Sequence, residues 1–144
     1  MLIGEYIHTL DEKNRMSLPA KFRTELGKKI IITRGLDRCL SVYPVKEWNS
    51  FTKKLGELSF GQSDSRSFQR FMLGGAVEVD LDKSGRILIP EFLANFAGLS
   101  GRVVVTGAGN RAELWNEVVW QTYAERITRD ADQLAEKLGE IGMV

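Results

Sequence analysis

The sequence predicts an α+β fold, mainly β, in which two copies of one unit share a pseudo-twofold β-barrel with flanking helices. Three observations support this fold. A 14-residue segment occurs twice, its residues alternate with the period of a β-strand, and a short helix bounded by Pro and Gly follows each copy. One such unit buries too little of a sheet face on its own, so the two units are expected to close on each other.

The repeated segment forms a hairpin in each half of the chain. It runs from Tyr6 to Pro19 and again from Val77 to Pro90, with a constant offset of 71 residues. Apolar and polar residues alternate at its start, which predicts a half-buried strand. The turns fall at 11–14 and 82–85, and each ends in Asn or Gly, the residues that best tolerate a left-handed backbone.

A short helix and two further strands are predicted after each hairpin. The segments Pro19–Gly27 and Pro90–Gly98 have proline at a helix start and glycine at its end, the usual punctuation. The β-branched runs at 30–33 and 103–106 then predict strands, and each is followed by a short strand that ends in an aromatic residue.

The order of these elements divides the chain into four parts. In the linker, Ser63 or Asp64 is expected to cap the second of two helices. The parts are a first β unit at 5–47, a helical linker at 48–75, a second β unit at 76–119 and a C-terminal helix at 120–144.

The C-terminal helix carries an apolar stripe with alternating spacings of four and three residues. Such a stripe packs either on the core of its own chain or on a neighbouring subunit, and the sequence leaves both alternatives open. Its members are Trp120, Ala124, Ile127, Ala131, Leu134, Leu138 and Ile141.

Composition excludes several classes of protein. Cys39 is the single cysteine and His8 the single histidine, so no disulfide, metal site or cofactor is predicted, and both residues are interpreted as structural. No catalytic constellation is present, so an enzyme is not expected. No apolar run is long enough to span a membrane, and the N-terminus lacks the features of a secretory signal, so a cytoplasmic protein is expected.

Charge is distributed unevenly along the chain. Residues 11–38 have a net charge of +4, residues 82–111 have +2, and residues 112–144 have −4. A basic surface separated from an acidic tail suits the binding of a polyanion.

The motif Asp-x-x-x-Arg spans both turns, as Asp11–Arg15 and Asp82–Arg86. An aspartate at the start of a turn accepts bonds from backbone amides within it, and it also holds a guanidinium by a bidentate contact. An arginine held in this way on a projecting turn suits the recognition of guanine in the major groove of DNA. The alternative interpretation is a pair of ion pairs that only stabilise their turns.

Four further basic residues suit contacts with DNA phosphates. Two of them, Lys13 and Lys83, lie in the turns, and the other two, Lys21 and Arg23, lie on the short helix after the first turn. Lys21 and Arg23 follow the first turn, whereas Phe92 and Ala94 follow the second, so the first repeat is expected to contribute more to binding. The expected DNA-binding residues are Arg15, Lys13, Arg86, Lys83, Lys21 and Arg23, and the turn-supporting residues are Asp11, Asn14, Asp82 and Gly85.

The segments LDEKNRMSLPAKFR and RFMLGGAVEVDLDKSGRILIP, with EFLANFAGL after them, resemble the MraZ family over about residues 1–140. This resemblance implies two SpoVT-AbrB domains with swapped hairpins. It also implies homo-oligomeric rings, an octamer or larger, on the nucleoid. The family's Asp-x-x-x-Arg motif carries over to the two turns, and one departure is Asn14, where the family commonly has Gly.

The resemblance also implies a function. The protein is expected to bind short direct repeats of double-stranded DNA in the promoter of the division and cell-wall gene cluster, its own gene included, as a repressor. The alternative is a protein-interaction module of the antitoxin type. An antitoxin usually has one DNA-binding unit and a disordered tail, whereas the second half of this chain is predicted to be a folded repeat.

Overall fold

A computed structural model describes the whole chain, Met1–Val144, and contains eight strands and five helices. The strands are β1 (Glu5–Leu10), β2 (Arg15–Ser17), β3 (Lys29–Arg34), β4 (Leu40–Pro44), β5 (Val77–Asp80), β6 (Arg86–Leu88), β7 (Gly101–Gly107) and β8 (Ala112–Asn116). The helices are α1 (Ala20–Leu26), α2 (Val45–Gly56), α3 (Ser63–Gly74), α4 (Glu91–Ala97) and α5 (Glu117–Glu140). Helical residues outnumber strand residues, so the expectation of a mainly β protein is wrong.

Six strands form one antiparallel sheet in the order β1-β7-β8-β4-β3-β5, and this sheet is open. The predicted closure into a barrel is therefore wrong. The physical reason is that β2 and β6 pair with each other as a separate two-stranded ribbon. No strand is then left to join the two edges, β1 and β5.

The two repeats exchange strands. The first strand of each repeat pairs with the third strand of the other, as β1 with β7 and β5 with β3. The register follows the same pseudo-twofold symmetry, with Tyr6 opposite Val105 and Val77 opposite Ile32. In the ribbon, Met16 pairs with Ile87, and these two residues occupy equivalent positions in the two repeats. The pseudo-twofold axis that relates the repeats therefore passes through this pair.

The main core lies on one face of the sheet, between the sheet, the ribbon and the helices α1 and α4. It combines inward-facing residues of both repeats, and full burial of each large aliphatic side chain contributes about 1.5–3 kcal/mol. Its fully buried members include Met16, Leu18, Phe22, Ile30, Ile32, Leu40, Ile87, Ile89, Leu93 and Leu114.

A smaller cluster lies on the other face of the sheet. It contains Cys39, Val104 and Trp115, and Trp120 and Tyr123 of α5 pack on it. The Trp115 ring lies 5.1 Å from that of Trp120 and 4.9 Å from that of Tyr123, centroid to centroid. The prediction that Cys39 is buried is confirmed, and burial raises the pKa of its thiol.

The boundaries of the short helices follow the predicted punctuation. Gly27 follows α1 with φ +78° and Gly98 follows α4 with φ +61°. The predicted cap of α3 is wrong, because Ser63 lies within the helix and the N-cap residue is Gln62, whose side chain makes no capping bond. Helix α5 is capped by Asn116, whose Oδ1 accepts a hydrogen bond from Val119 N at 3.1 Å.

The C-terminal half of helix α5 extends away from the rest of the molecule. None of its residues is buried, and every residue from Ala131 to Val144 is exposed. Packing of the apolar stripe on the chain's own core is therefore wrong for all of the stripe beyond the first turns. None of the five helices is both long and apolar enough to cross a membrane.

Candidate nucleic-acid interface

The β2–β6 ribbon has one buried and one outward face. Met16 and Ile87 point into the core and are each 1% exposed. The residues on either side of them point outward, since side chains alternate along a strand. The ladder pairs Arg15 with Leu88 and Arg86 with Ser17, so these four side chains share the outward face.

In the first turn, one carboxylate organises the whole loop. Asp11 Oδ1 accepts hydrogen bonds from the backbone amides of Lys13 at 2.8 Å and Arg15 at 2.9 Å. Its second oxygen, Oδ2, accepts from Arg15 Nε at 3.1 Å. Asn14 supplies the left-handed position with φ +60°, as the sequence predicts.

The second turn repeats this geometry. Asp82 Oδ1 accepts from the amides of Ser84 at 2.8 Å and Arg86 at 2.9 Å, and Oδ2 accepts from Arg86 Nε at 3.0 Å. Gly85 takes the left-handed position with φ +75°. Both aspartates thus accept two hydrogen bonds from backbone amides of their own turns.

These bonds lower the pKa of both aspartates. For Asp11 the largest cause is the hydrogen bond from the Arg15 amide, and for Asp82 it is the bond from the Arg86 amide. The amides and the guanidinium both favour the ionised carboxylate, so each turn keeps its negative charge well into the acid range.

Each aspartate engages only the Nε of its arginine, so the predicted bidentate contact is wrong. The Nη atoms of Arg15 and Arg86 donate to no group of the protein. Their side chains are 39% and 43% exposed. Each guanidinium is therefore held at one edge and presents its two terminal nitrogens to solvent as a free pair of donors.

Each turn is also tied to the opposite repeat. The Gly85 carbonyl accepts a hydrogen bond from the Leu18 amide at 3.1 Å, and the Asn14 carbonyl accepts from the Ile89 amide at 2.8 Å. The left-handed residue of each turn is thus bonded to the end of the other repeat's strand. The two turns are held at a fixed separation by the backbone.

The predicted lysines surround this face. Lys13 and Lys83 lie in the turns and Lys21 lies on α1, and all three side chains are exposed. None of them forms an ion pair within the protein. Their ammonium groups are available to a polyanion.

Arg23 lies at the second turn. Its Nε donates to the Leu18 carbonyl at 2.9 Å, and its guanidinium lies against Gly85. Counting Arg23 with the first turn is therefore wrong, because the exchange of strands carries α1 to the turn of the other repeat. Arg23 also lies near His8, whose pKa is lowered first by burial and then by this cation.

Lys28 is a basic residue of this region that motif analysis did not single out. Together with Arg23 and Lys83 it lines a depression beside the second turn. The only sequence signal for it is its contribution to the positive charge of residues 11–38. No group of three or more His, Cys, Asp or Glu side chains is arranged to hold a metal ion.

The fold and the site define a two-repeat protein with exchanged strands and a basic β-ribbon. The family model described as "MraZ protein, putative antitoxin-like" matches residues 1–71 and again residues 72–139. The chain is 45% identical over 143 residues to the Transcriptional regulator MraZ of Oenococcus oeni, covering 99% of this chain and 100% of the relative. It is 46% identical over 138 residues to that of Moorella thermoacetica, covering 96% of each chain.

The chain therefore belongs to the MraZ family. The resemblance found in the sequence is confirmed, and so is the repeat, since the family model matches the two halves separately.

Proposed function

We propose that this protein is a transcriptional regulator that binds double-stranded DNA sequence-specifically through the β2–β6 ribbon and its two turns. The observation that carries the proposal is the pair of half-exposed arginines, each held by an aspartate through Nε alone. The relatives from Oenococcus oeni and Moorella thermoacetica are both named transcriptional regulators, which supports the same conclusion.

The ribbon has the shape and the chemistry for the major groove. The groove of B-DNA admits a two-stranded β-ribbon, and guanine presents the acceptors O6 and N7 there. The two free Nη atoms of Arg15 or Arg86 match these acceptors. Because Asp11 and Asp82 fix the guanidinium beforehand, little side-chain entropy is lost when DNA binds.

The neighbouring cations contact the phosphates. Lys13, Lys83 and Lys21 form no ion pair within the protein, and Arg23 keeps both Nη atoms free beside the second turn. Contacts with phosphates fix the register of the protein on the duplex without reading its sequence. Each unit, 5–47 and 76–119, provides one guanine-reading turn.

The target is a set of short direct repeats in the promoter of the division and cell-wall gene cluster, including the gene of the protein itself. Binding there represses transcription in the cytoplasm, with the protein on the nucleoid. This part of the proposal follows the expectations of the family. A turn with one arginine and one lysine reads only a few base pairs, so several copies of the motif are needed to specify one promoter.

Several copies of the protein act together in a ring of eight or more subunits. The exposed stripe of α5 supports this assembly, since Leu134, Leu138 and Ile141 are 44%, 42% and 71% exposed in the single chain. Subunits related by rotation around a ring present their readers in the same sense, which favours direct repeats over palindromes.

An antitoxin-type interaction module is the second candidate, and the words "antitoxin-like" in the description of the family favour it. The second half of the chain counts against it. Four strands and two helices follow residue 76, and three of these strands, β5, β7 and β8, pair directly with strands of the first repeat in one sheet. A partner-binding tail of an antitoxin lacks such structure.

Footprinting on the DNA upstream of the protein's own gene tests the proposal. Protection of regularly spaced short motifs, lost in the Arg15→Ala/Arg86→Ala variant, is the expected result. Affinity should fall steeply with salt, because phosphate contacts release counterions. Uniform protection that is independent of sequence would refute sequence-specific recognition.

A further inference from the structure

We propose that Leu88 is a specificity-determining residue that reads the 5-methyl group of a thymine beside the guanine contacted by Arg15. This inference rests on the proposed function and adds a second base to what the first turn reads. Leu88 lies on β6, on the outward face of the ribbon, in a part of the molecule where an exposed leucine has no role in the core.

The exposure of Leu88 is not required by the fold. Its side chain is 55% exposed, whereas its neighbours Ile87 and Ile89 are each 1% exposed. The core is therefore complete without it. A large apolar side chain in the middle of a basic, polar surface costs hydration and contributes nothing to the stability of the single chain.

The register places Leu88 directly opposite Arg15. Cβ atoms of opposite residues on one face of an antiparallel ladder lie about 5 Å apart. Base pairs stack at about 3.4 Å along the duplex. When Arg15 contacts a guanine, the adjacent base pair therefore lies within reach of Leu88, and it is this pair that can contain a thymine.

The chemistry of the groove then selects the base. Leucine neither donates nor accepts hydrogen bonds, and the thymine methyl is the single apolar group on the major-groove edges of the four bases. Opposite a cytosine, Leu88 would instead bury an amino group without a partner. A thymine methyl is the one feature that this side chain recognises.

The equivalent position in the other repeat gives an internal control. Ser17 occupies it, opposite Arg86, and it is half-buried. A serine hydroxyl bonds to any base edge and provides no contact for a methyl group. The two turns therefore read different sequences: guanine with thymine at Arg15, and guanine with less discrimination at Arg86.

The experiment compares two versions of the promoter DNA upstream of the protein's own gene, one with thymine and one with every thymine replaced by deoxyuridine. This replacement removes the methyl groups and leaves the hydrogen-bonding groups unchanged. The proteins are wild type, Leu88→Ala and the matched variant Ser17→Ala. Thermal unfolding and the mass in solution by light scattering are measured for each protein.

We expect wild type to bind the uracil duplex about fourfold more weakly for each motif contacted, the value of one buried methyl group. Leu88→Ala should bind the two duplexes equally, and Ser17→Ala should keep the discrimination. Comparing the variants on both duplexes removes any effect of uracil on the shape of the DNA.

Three results would overturn the inference. Specific binding by wild type without discrimination between the duplexes would refute it and leave the proposed function intact. Discrimination that persists in Leu88→Ala would assign the methyl contact to another residue. A changed subunit number in Leu88→Ala would assign Leu88 to a contact between subunits. A wild type that binds neither duplex specifically would refute the proposed function itself.

Discussion

The guanidinium of Arg23 occupies the space that a Cβ atom would need at Gly85. Glycine at this position therefore serves two purposes, since it provides both the left-handed backbone and the room for an arginine from the other repeat. In the first turn the left-handed residue is Asn14, and the position equivalent to Arg23 is Ala94. The two repeats thus reach the same turn geometry with different pairs of residues.

Placing the first turn's asparagine at position 85, with and without Arg23, tests this relationship. Gly85→Asn should destabilise the protein, because its Cβ displaces Arg23 and removes the hydrogen bond from Arg23 Nε to the Leu18 carbonyl. The loss of such a bond costs about 0.5–1.5 kcal/mol. Adding Arg23→Ala to Gly85→Asn should lower the free energy of unfolding little further, because the hydrogen bond of Arg23 is already lost. The effects of the two substitutions are therefore not additive. Urea denaturation of both single variants and the double variant measures the coupling.

Asn14→Gly in the first turn is the matched control. It also changes the left-handed residue, yet it adds no atom, so its effect on the free energy of unfolding should stay within about 1 kcal/mol. If Gly85→Asn lowered the free energy of unfolding equally in wild type and in Arg23→Ala, Arg23 would not compete with the Cβ atom at position 85.

Arg15→Ala should abolish specific DNA binding and leave the fold nearly intact. The side chain is 39% exposed, so its removal creates no cavity, whereas the loss of a bidentate base contact costs about 1–3 kcal/mol at each site. Gel-shift affinity and the thermal midpoint are compared with wild type. Arg129→Ala, which removes an exposed arginine of α5 paired with Asp130, is the control for charge alone. Unchanged affinity in Arg15→Ala would show that Arg15 does not contact the bases.

The effect of Arg23→Ala on DNA affinity should depend on whether Arg86 of the second turn is present. Because Arg23 lies against Gly85, its loss should be non-additive with Arg86→Ala and additive with Arg15→Ala in DNA affinity. With Arg23 assigned to the second turn, Arg15→Ala and Arg86→Ala should weaken binding by similar amounts. Coupling of Arg23→Ala with Arg15→Ala instead would place its phosphate contact at the first turn.

Acid should loosen both turns. The lowered pKa values of Asp11 and Asp82 mean that each stabilises the folded state fully above the ordinary aspartate pKa of about 4, and that this contribution disappears as the pH falls through the lowered values. The difference in free energy of unfolding between wild type and Asp11→Asn/Asp82→Asn should therefore shrink in acid. Urea denaturation across a pH series checks it, and a constant difference at all pH values would contradict the assignment.

The spacing of the DNA motifs should follow the helical repeat. Readers on one ring face the same side of the duplex when motifs lie about 10 base pairs apart. Inserting about five base pairs turns one motif to the opposite side and should destroy the avidity, whereas inserting about ten should partly restore it. A single motif that binds as tightly as the array would contradict the multivalent model, and quantitative gel shifts distinguish these outcomes.

The features that the sequence predicted correctly depend on local chemistry. The left-handed backbone at Asn14 and Gly85, the amide bonds of Asp11 and Asp82 and the punctuation of α1 all depend on residues a few positions apart. Their physical causes lie in the repeated segment and the few residues that follow it, so the local sequence was sufficient to predict them.

The features that could not be predicted from the sequence depend on which strands pair with each other. Whether β2 joins the sheet or pairs with β6 is decided by contacts about 70 residues apart, and alternation of side chains does not specify the partner strand. The position of Arg23 follows from the same choice, since strand exchange alone brings α1 to the second turn. The single Nε contact of each arginine depends on the separation of two side chains, which the motif does not fix.

The exchange of strands gives this chain the form of a symmetric dimer written in one polypeptide. In a true dimer of one short chain, both copies of every position would have to carry the same residue. Here the covalent connection through α2 and α3 releases each pair from that requirement, so that Ser17 differs from Leu88 and Asn14 from Gly85. One molecule can therefore present two unlike readers on a common scaffold, and such a molecule has a direction along the DNA.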